Sequence, residues 1–371
     1  MNEVNLRIPG PTPCPQEVLQ ACGRQMINHR GPEFAEILAR VMNGVKQVYQ
    51  TKNDVALFTS GGTGAMEALV TNTLSPGDRV LAVSIGSFGD RLANIAETYG
   101  ADVVRLTYEW GKAADPAEID KALAADSRIK AVLVTHNETS TGICNDLETI
   151  AKTVRKHGEL LILVDGISSV SSVPTPVDDW DVDAMASGCQ KGWMVPPGVT
   201  MMSISPRAWK AYEQAKMPRF YFDARRAVDM AQKGQTPWTP AVSIFFGLDT
   251  ALGLLLKEGL ENVFERHRRC GNAARQGAKS LGLQLFGDER YASNTVTAIK
   301  VPEGIDGKDL NKMLREEYAT VVGGGQQHLA GKIFRIGHLG FVQVSDIEKV
   351  IEVVSKALPR LGFSPSRAAA S

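Results

Sequence analysis

Residues 160–166 read LLILVDG, five apolar residues followed by an aspartate and a glycine. A short run that is apolar on both faces is typical of a strand buried between two layers of helices. Six more runs of this kind precede or follow it: VALFTS (55–60), RVLAVSI (79–85), DVVRLTY (102–108), IKAVLVTHN (129–137), DVDAMASG (181–188) and GVTMMSIS (198–205). Helical patterns separate several of them, for example DLETIAKTVRKHG (146–158), in which Asp146 is a plausible N-cap. The alternation predicts an α/β fold with a mainly parallel, seven-stranded sheet.

The pattern changes after residue 242. A long helical stretch from Ser243 to Leu281 is broken near Gly259, and shorter elements follow it. These are a strand at TVTAIKV (295–301), a helix over 306–318, a glycine-rich loop at VVGGGQQ (321–327), a strand at KIFRIG (332–337) and a last helix from Ser345. We therefore expect an N-terminal segment (1–20), a large domain (21–257) and a smaller α+β domain (258–371), with a disordered tail at SPSRAAAS (364–371).

The composition of the chain argues against several classes of function. The chain has 41 Lys and Arg residues and 41 Asp and Glu residues, so its net charge is zero and it lacks the basic character of a nucleic-acid binder. No apolar stretch reaches the ~18–20 residues that span a bilayer, and the first residues do not resemble a signal peptide. The five cysteines form no C-x-x-C pair and the six histidines are scattered. We expect a cytoplasmic protein with no metal, no membrane segment and no nucleic-acid partner.

Two loops after predicted strands carry groups that suit an anion and a cation. Ser60-Gly61-Gly62-Thr63-Gly64 lies between a strand and a helix, where glycines and free N–H groups favour a phosphate. A tight turn without a ligand is the alternative, and no dinucleotide or P-loop motif is present. Asp165 ends LLILV, where a partly desolvated carboxylate needs a cationic or hydrogen-bonded partner. Taken alone, it would also suit a metal ligand or a helix cap.

Two further loops add a lysine and an aromatic ring. Lys191, in SGCQKGW (187–193), follows a buried strand, and a desolvated amine there would be a good nucleophile toward an aldehyde. Phe88 lies between glycines in GSFGDR (86–91), which suits stacking on a flat heterocycle. An ordinary surface lysine and a core phenylalanine are the alternatives. A phosphate cradle, an acid, a ring and a lysine on adjacent strand ends together match the requirements of pyridoxal 5′-phosphate (PLP).

The chain resembles the class V aminotransferases of the fold-type I PLP superfamily, close to the alanine/serine–glyoxylate aminotransferases. The resemblance covers nearly the whole length and is carried by PGPTP (9–13), NHRGPEF (28–34), TSGGTGAMEA (59–68), SFGDR (87–91), THNETSTG (135–142), VDGISS (164–169), SGCQKGW (187–193), TPWTPAV (236–242) and IFRIGHLG (333–340). It implies transfer of an amino group from alanine or serine to glyoxylate or another small 2-oxo acid by a ping-pong mechanism.

The resemblance also implies roles for individual residues. Lys191 would hold PLP as a Schiff base and later move a proton, and Asp165 would pair with the pyridine nitrogen. The ring would lie between Phe88 and Ile167, and Arg335 would bind the substrate carboxylate. The remaining expected contacts are Gly62, Thr63 and Gln190 at the phosphate, Thr139 at the polar edge of the ring, Gly10 at the substrate, and Thr236 and Thr239 at the phosphate of the neighbouring subunit of a homodimer.

Two positions depart from the family pattern. Phe88 stands where the eukaryotic enzymes have Trp, and Thr236 stands where they have Tyr, which leaves the choice of donor open. A class V aspartate aminotransferase is an alternative, in which Arg30 or an arginine of the 219–226 stretch would bind the second carboxylate. A cysteine desulfurase would need a mobile cysteine, and only Cys270, inside a predicted helix, is available in the second half. A non-enzymatic PLP-binding domain would need a fused DNA-binding module, for which the chain has no basic segment.

Overall fold

The computed structural model of the chain describes residues 4–363 and contains the seven strands predicted for the large sheet. Within those residues the strands are β1 (Asn5–Arg7), β2 (Asp54–Phe58), β3 (Arg79–Ser84), β4 (Asp102–Thr107), β5 (Ile129–Thr135), β6 (Asn137–Glu138), β7 (Ile143–Cys144), β8 (Leu161–Asp165), β9 (Ala184–Gly188), β10 (Thr200–Ile204), β11 (Val296–Lys300), β12 (Thr320–Gly324) and β13 (Ile333–Gly337). The tail predicted to be disordered lies outside the described residues.

The helices of the same part of the chain include the one predicted over 146–158. They are α1 (Gln16–Cys22), α2 (Pro32–Val48), α3 (Gly62–Thr73), α4 (Ser87–Thr98), α5 (Pro116–Ala125), α6 (Leu147–Arg155), α7 (Pro206–Gln214), α8 (Ala224–Ala231), α9 (Val242–Glu258), α10 (Leu260–Ser280), α11 (Gly307–Tyr318) and α12 (Val344–Arg360). Asp146 caps α6 as predicted, since its carboxylate accepts a hydrogen bond from Thr149 N at 3.0 Å. None of the described helices is long and apolar enough to cross a membrane.

The large sheet has the strand order β2-β10-β9-β8-β5-β3-β4, and only β10 runs against the others. Its central strands are buried on both faces, because alternate residues enter two different apolar cores. Val132 and Val134 of β5 belong to one core, whereas Ala131 and Leu133 belong to the other. All strands of this sheet except β10 run in the same direction, so their carboxyl ends meet at one edge. A ligand site is expected at this edge, beyond β2, β3, β5, β8 and β9.

The break in the long helical stretch lies where it was predicted. Gly259 separates α9 from α10 with a φ of 85°, a left-handed value that glycine adopts without steric cost. Downstream, β11 and β13 match the two predicted strands, and α11 and α12 match the predicted helices. The smaller sheet has the order β1-β12-β13-β11.

Two features of the smaller sheet were not predicted. The glycine-rich segment 321–327 was predicted to be a loop, but its first half belongs to β12. The prediction was wrong because β12 is stabilised by pairing with β1 and β13 rather than by its own β-propensity. The strand β1, which the sequence did not suggest, pairs in parallel with β12 through Asn5 and Thr320. The N-terminal segment thus contributes a strand to a sheet whose other strands lie between residues 296 and 337.

Candidate active site

Lys191 follows β9 at the carboxyl edge of the large sheet, and its amine contacts the N-terminal segment. The Nζ atom donates a hydrogen bond to the carbonyl of Pro9, and a Cβ atom at Gly10 would lie only 2.6 Å from Nζ. Gly10 therefore has to be a glycine for the amine to lie where it does. Burial lowers the pKa of Lys191 to about 8, and the positive charges of Arg335 and Arg91 act in the same direction, against the attraction of Asp165. A lysine in this state is partly neutral and nucleophilic near neutral pH.

Asp165 is the last residue of β8 and is 3% exposed. Its Oδ1 atom accepts a hydrogen bond from Ile167 N at 2.9 Å, and Oδ2 has no hydrogen-bond donor among residues 4–363. Burial raises the pKa of Asp165 to about 7, and the nearby charge of Glu138 raises it further, whereas Lys191 and Arg91 oppose the shift. The carboxylate is thus ready to receive a cationic N–H donor.

The glycine loop forms the N-terminus of α3. Its N-cap is Gly61, which has no side chain to cap the helix, so the first N–H groups at Gly62 and Thr63 remain available to an anion. A Cβ atom at Gly62 would lie 2.9 Å from Cδ1 of Ile167, so this glycine allows the loop to pack against Ile167. Thr63 is exposed at the same turn. Gln190 contributes a buried Oε1 atom that has no hydrogen-bond partner within the described residues.

Phe88 is half-buried in the first turn of α4, directly after the carboxyl end of β3. The guanidinium carbon of Arg91 lies 4.8 Å from the centre of the Phe88 ring, so one face of the ring is covered by a cation. The predicted flat ligand would therefore stack on the opposite face. Arg91 was not singled out from the sequence, although its spacing of three residues from Phe88 on one helix places the two side chains together.

Arg335, on β13, is a buried cation without an ion-pair partner in residues 4–363. It is 6% exposed, and its guanidinium donates to two backbone carbonyls, those of Gly324 at 2.9 Å and Thr139 at 2.8 Å. Burial lowers the pKa of Arg335 to about 10, while the negative charge of Glu138 opposes the change. A buried charge that meets only neutral acceptors favours an anionic ligand, and the fork of a guanidinium suits a carboxylate. Thr139 and Arg335 are thus in contact, although the sequence suggested only their separate places at the ring and at the substrate.

Thr236 and Thr239 do not form hydrogen bonds with Lys191 or the glycine loop of the same chain. The Thr236 hydroxyl donates to Trp238 O at 2.7 Å, and Arg30 donates to Thr236 O at 2.8 Å. Thr239 is exposed. Their assignment to a neighbouring subunit's phosphate therefore stays a prediction.

Glu138 was also missed, although it lies in the quoted motif THNETSTG next to Thr139. Its side chain is completely buried and accepts hydrogen bonds from the loop that carries Phe88. Nothing in the local sequence indicates these bonds, because their donors lie about fifty residues earlier in the chain.

The residues present fit PLP. The free N–H groups at Gly62, the unpaired oxygen of Asp165 and the amine of Lys191 supply polar contacts that the cofactor needs. Phosphate oxygens accept hydrogen bonds, so Gln190 would serve the phosphate through its Nε2 donors rather than through Oε1. Phe88 and Ile167 supply the apolar ones. No three His, Cys, Asp or Glu side chains of the described region lie close enough together to hold a metal ion.

Comparison with known proteins places this site in a family. Residues 4–346 match the family described as "Aminotransferase class-V". The chain is 43% identical to the soluble hydrogenase small subunit of a Synechococcus strain, over 97% of this chain and 94% of that protein. It is 41% identical to the L-aspartate–glyoxylate aminotransferase of Paracoccus denitrificans, over 90% of this chain and 85% of that protein. The crystal structure of an alanine–glyoxylate aminotransferase from Nostoc superimposes with a TM-score of 0.92 at 31% identity, covering 96% of both chains. Because the family match covers almost the whole chain and relatives at 43% and 41% identity align over 97% and 90% of it, the chain belongs to the class V aminotransferases.

Proposed function

We propose that this transaminase uses PLP held by Lys191 to transfer the amino group of alanine or serine to glyoxylate or another small 2-oxo acid. When bound, PLP supplies an electron sink that stabilises negative charge at the substrate Cα. The observation that carries the proposal is Arg335, a buried guanidinium near Lys191 that has only carbonyl partners in the described chain. Because donor and acceptor both carry an α-carboxylate, one arginine serves both halves of a ping-pong reaction.

The residues around the amine have complementary tasks. Lys191, with a pKa lowered by burial to about 8, would hold or release a proton near neutral pH. Asp165 would keep a proton on the pyridine nitrogen through its free oxygen. Phe88 and Ile167 would hold the ring flat, and the N-terminus of α3 would bind the phosphate. These assignments are the ones expected from the sequence.

A small donor is favoured over a dicarboxylate because Arg335 is among the charges that act most strongly on Lys191, whereas neither Arg30 nor any arginine of the 219–226 stretch is. Arg30, considered for a second carboxylate, donates to Gln235 Oε1 and to Thr236 O. Arg219 donates to the backbone carbonyls of Thr71, Tyr212 and Ala215. The similarity to an L-aspartate–glyoxylate aminotransferase supports glyoxylate as the acceptor and makes aspartate the donor to test against alanine and serine.

The desulfurase alternative receives no support from the structure. Cys270 lies in the middle of α10 and is completely buried. A catalytic cysteine that delivers sulfur must move over the cofactor, which a residue packed inside a helix does not do.

We further infer that the enzyme is a cytoplasmic homodimer in which Thr236 and Thr239 contact the phosphate of the partner subunit. The exposure of Thr239 and the absence of a bond from either hydroxyl to the site in its own chain support this arrangement. The five cysteines are all free, as is usual in a reducing compartment.

A half-reaction screen tests the proposal. The PLP-loaded protein is mixed with alanine, serine or aspartate in turn, and the loss of the cofactor's visible band is followed over time. Alanine or serine should react at least tenfold faster than aspartate, and glyoxylate should restore the band faster than 2-oxoglutarate. Faster reaction with aspartate and 2-oxoglutarate would overturn the substrate assignment, whereas the absence of any band would overturn the PLP assignment.

A further inference from the structure

Glu138 is a completely buried carboxylate that forms no ion pair within the described residues. Its two oxygens accept four hydrogen bonds. Oε2 accepts from Phe88 N at 2.9 Å and Gly89 N at 3.1 Å, and Oε1 accepts from Ser140 N at 3.0 Å and Ser140 Oγ at 2.6 Å. Burial raises the pKa of Glu138, and these four bonds act in the opposite direction. Burying a carboxylate without an ion-pair partner costs free energy, so its presence needs a structural or functional explanation.

The first explanation is that Glu138 caps α4 from outside the helix. The N-cap of α4 is Gly86, which has no side chain, so the free N–H groups at Phe88 and Gly89 are bound by the Glu138 carboxylate instead. The positive end of the helix dipole also favours a carboxylate there. A Cβ atom at Gly86 would lie 2.6 Å from Cγ of Glu138, so the loop and the carboxylate are in close contact. This fixes the backbone that carries the Phe88 ring.

The second explanation is that the loop carrying Glu138 also contacts Arg335 and the smaller sheet's part of the chain. The next residue, Thr139, accepts the hydrogen bond from Arg335, and Ser140 Oγ accepts one from Ser87 N at 3.0 Å. Gln327 of the smaller domain donates to Ser87 Oγ at 3.2 Å. The loop after β5 thus joins the stacking ring on one side to the substrate-binding arginine on the other, and Glu138 is the side chain with the most bonds in that connection.

We propose that Glu138 is a positioning residue that holds Phe88 against the cofactor ring and holds Thr139 and Arg335 in the geometry that receives the substrate carboxylate. The inference rests on the proposed function, because it requires PLP between Phe88 and Ile167. Glu138 itself contacts neither cofactor nor substrate, and it acts through Phe88, Thr139 and Arg335, which it and its loop orient.

A purely electrostatic role makes the opposite prediction for substrate binding. The negative charge of Glu138 faces Arg335 and raises its pKa. If Glu138 acted only as a counter-charge, its removal would leave Arg335 freer to attract a carboxylate, and the KM of both substrates would decrease. If Glu138 positions the loop, its removal loosens the contact between Thr139 and Arg335, and both KM values increase.

The test compares Glu138→Gln with Asp183→Asn. Asp183 is a matched control, because it is also completely buried and accepts hydrogen bonds from Ile162 N, Ser205 Oγ and two arginines, but it lies before β9, at the opposite edge of the sheet from Lys191. PLP affinity is measured by titrating the apo proteins, and KM is measured for alanine and glyoxylate. Glu138→Gln should weaken PLP binding about tenfold and raise both KM values severalfold, whereas Asp183→Asn should lower only the unfolding temperature.

A double-mutant cycle with Phe88→Ala identifies the route of the effect. The backbone N–H of residue 88 remains in that variant, so only the ring is lost. If Glu138 acts on PLP through the ring, the two substitutions together should weaken PLP binding by much less than the product of their separate effects. Multiplicative effects, or unchanged PLP affinity in Glu138→Gln, would overturn the proposal even though the wild type binds PLP and transaminates.

A milder variant covers the case in which Glu138→Gln does not fold. Ser140→Ala removes one donor to Glu138 and the acceptor for Ser87 N but leaves the carboxylate in place. It should change PLP affinity and both KM values in the same directions by smaller factors. An unchanged PLP affinity and unchanged KM values in a folded Ser140→Ala protein would contradict the proposal.

Discussion

Lys191 and Asp165 are both buried at the edge of the large sheet, and burial shifts their pKa values in opposite directions. The pKa of the amine is lowered to about 8, and that of the carboxyl is raised to about 7. Each shift disfavours the charged form and is partly offset by the charge of the other residue. Before the cofactor binds, the site therefore contains two groups that change protonation near neutral pH.

The rate of PLP capture by the apo protein should follow the protonation of Lys191. Only the neutral amine attacks an aldehyde, so below a pKa of about 8 the rate should fall roughly tenfold per pH unit, and above it the rate should level off. Stopped-flow absorption between about pH 6 and 9 measures this dependence. Lys191→Ala is the control and should show no Schiff-base band at any pH. A rate independent of pH would mean that the amine is not the limiting group.

Asp165→Asn should stabilise the apo protein at alkaline pH while impairing catalysis. The folded-state pKa of about 7 lies above the ordinary value of 3.8, so the buried charge costs stability above pH 7, and this cost disappears below pH 3.8. The uncharged amide should therefore raise the free energy of unfolding by about 2–4 kcal/mol at pH 8, and the gain should vanish near pH 4. Thermal unfolding of the apo forms at both pH values checks this.

The activity of the same variant gives an independent result. Without a carboxylate at the pyridine nitrogen, the turnover number should fall on the order of 100-fold or more, with a much smaller change in KM. An unchanged turnover number would show that Asp165 is not the partner of that nitrogen.

At the scale of elements, the strands that build the site were predictable because their signals are local. β8 and β9 are short apolar runs, and Asp165 and Lys191 follow directly from where those runs end. β12 and β1 were not predictable, because they depend on pairing between residues more than 300 positions apart. Glu138 was missed for a similar reason, since the helix it caps begins about fifty residues before it. Local patterns indicate which loops carry chemistry, but not which distant residue holds them in place.

The strand β13 positions Arg335 between two other elements of the fold. Its Nε donates to Gly324 O of β12 and its Nη1 donates to Thr139 O after β6, so the plane of the guanidinium is fixed. Arg335→Lys keeps the charge but loses the planar fork, and it should raise KM for alanine and glyoxylate together by roughly tenfold or more. Steady-state kinetics with each substrate varied in turn measures this. An increase for only one of them would show that donor and acceptor do not share the site.

At the scale of the whole molecule, the proposed dimer makes each site dependent on two chains. We expect Lys191→Ala and Thr239→Glu each to be nearly inactive, the first because it lacks the amine and the second because it repels the partner's phosphate. A mixed dimer of the two variants contains one site with both wild-type groups. Random reassembly of equal amounts should therefore restore about a quarter of the wild-type activity.

Controls for the mixing experiment come from the parent variants. Each variant mixed with itself should stay inactive, and the mixture should migrate as a dimer in size-exclusion chromatography. If a mixture that has exchanged subunits recovers no activity, the two subunits do not share their sites.

The pairing of β1 with β12 also has a consequence for synthesis on the ribosome. Asn5 is made before its partner Thr320, which follows more than 300 residues later, roughly 15–60 s at ordinary elongation rates. The segment after β1 carries Pro9, whose carbonyl accepts the hydrogen bond from Lys191, and a Cβ atom at Gly323 of β12 would lie 2.9 Å from the Pro9 ring. The strands of the large sheet are thus all translated while this part of the site still lacks its partner strand. A nascent chain arrested just after β11 should fail to capture PLP, and competence should arise only when β12 and β13 have emerged.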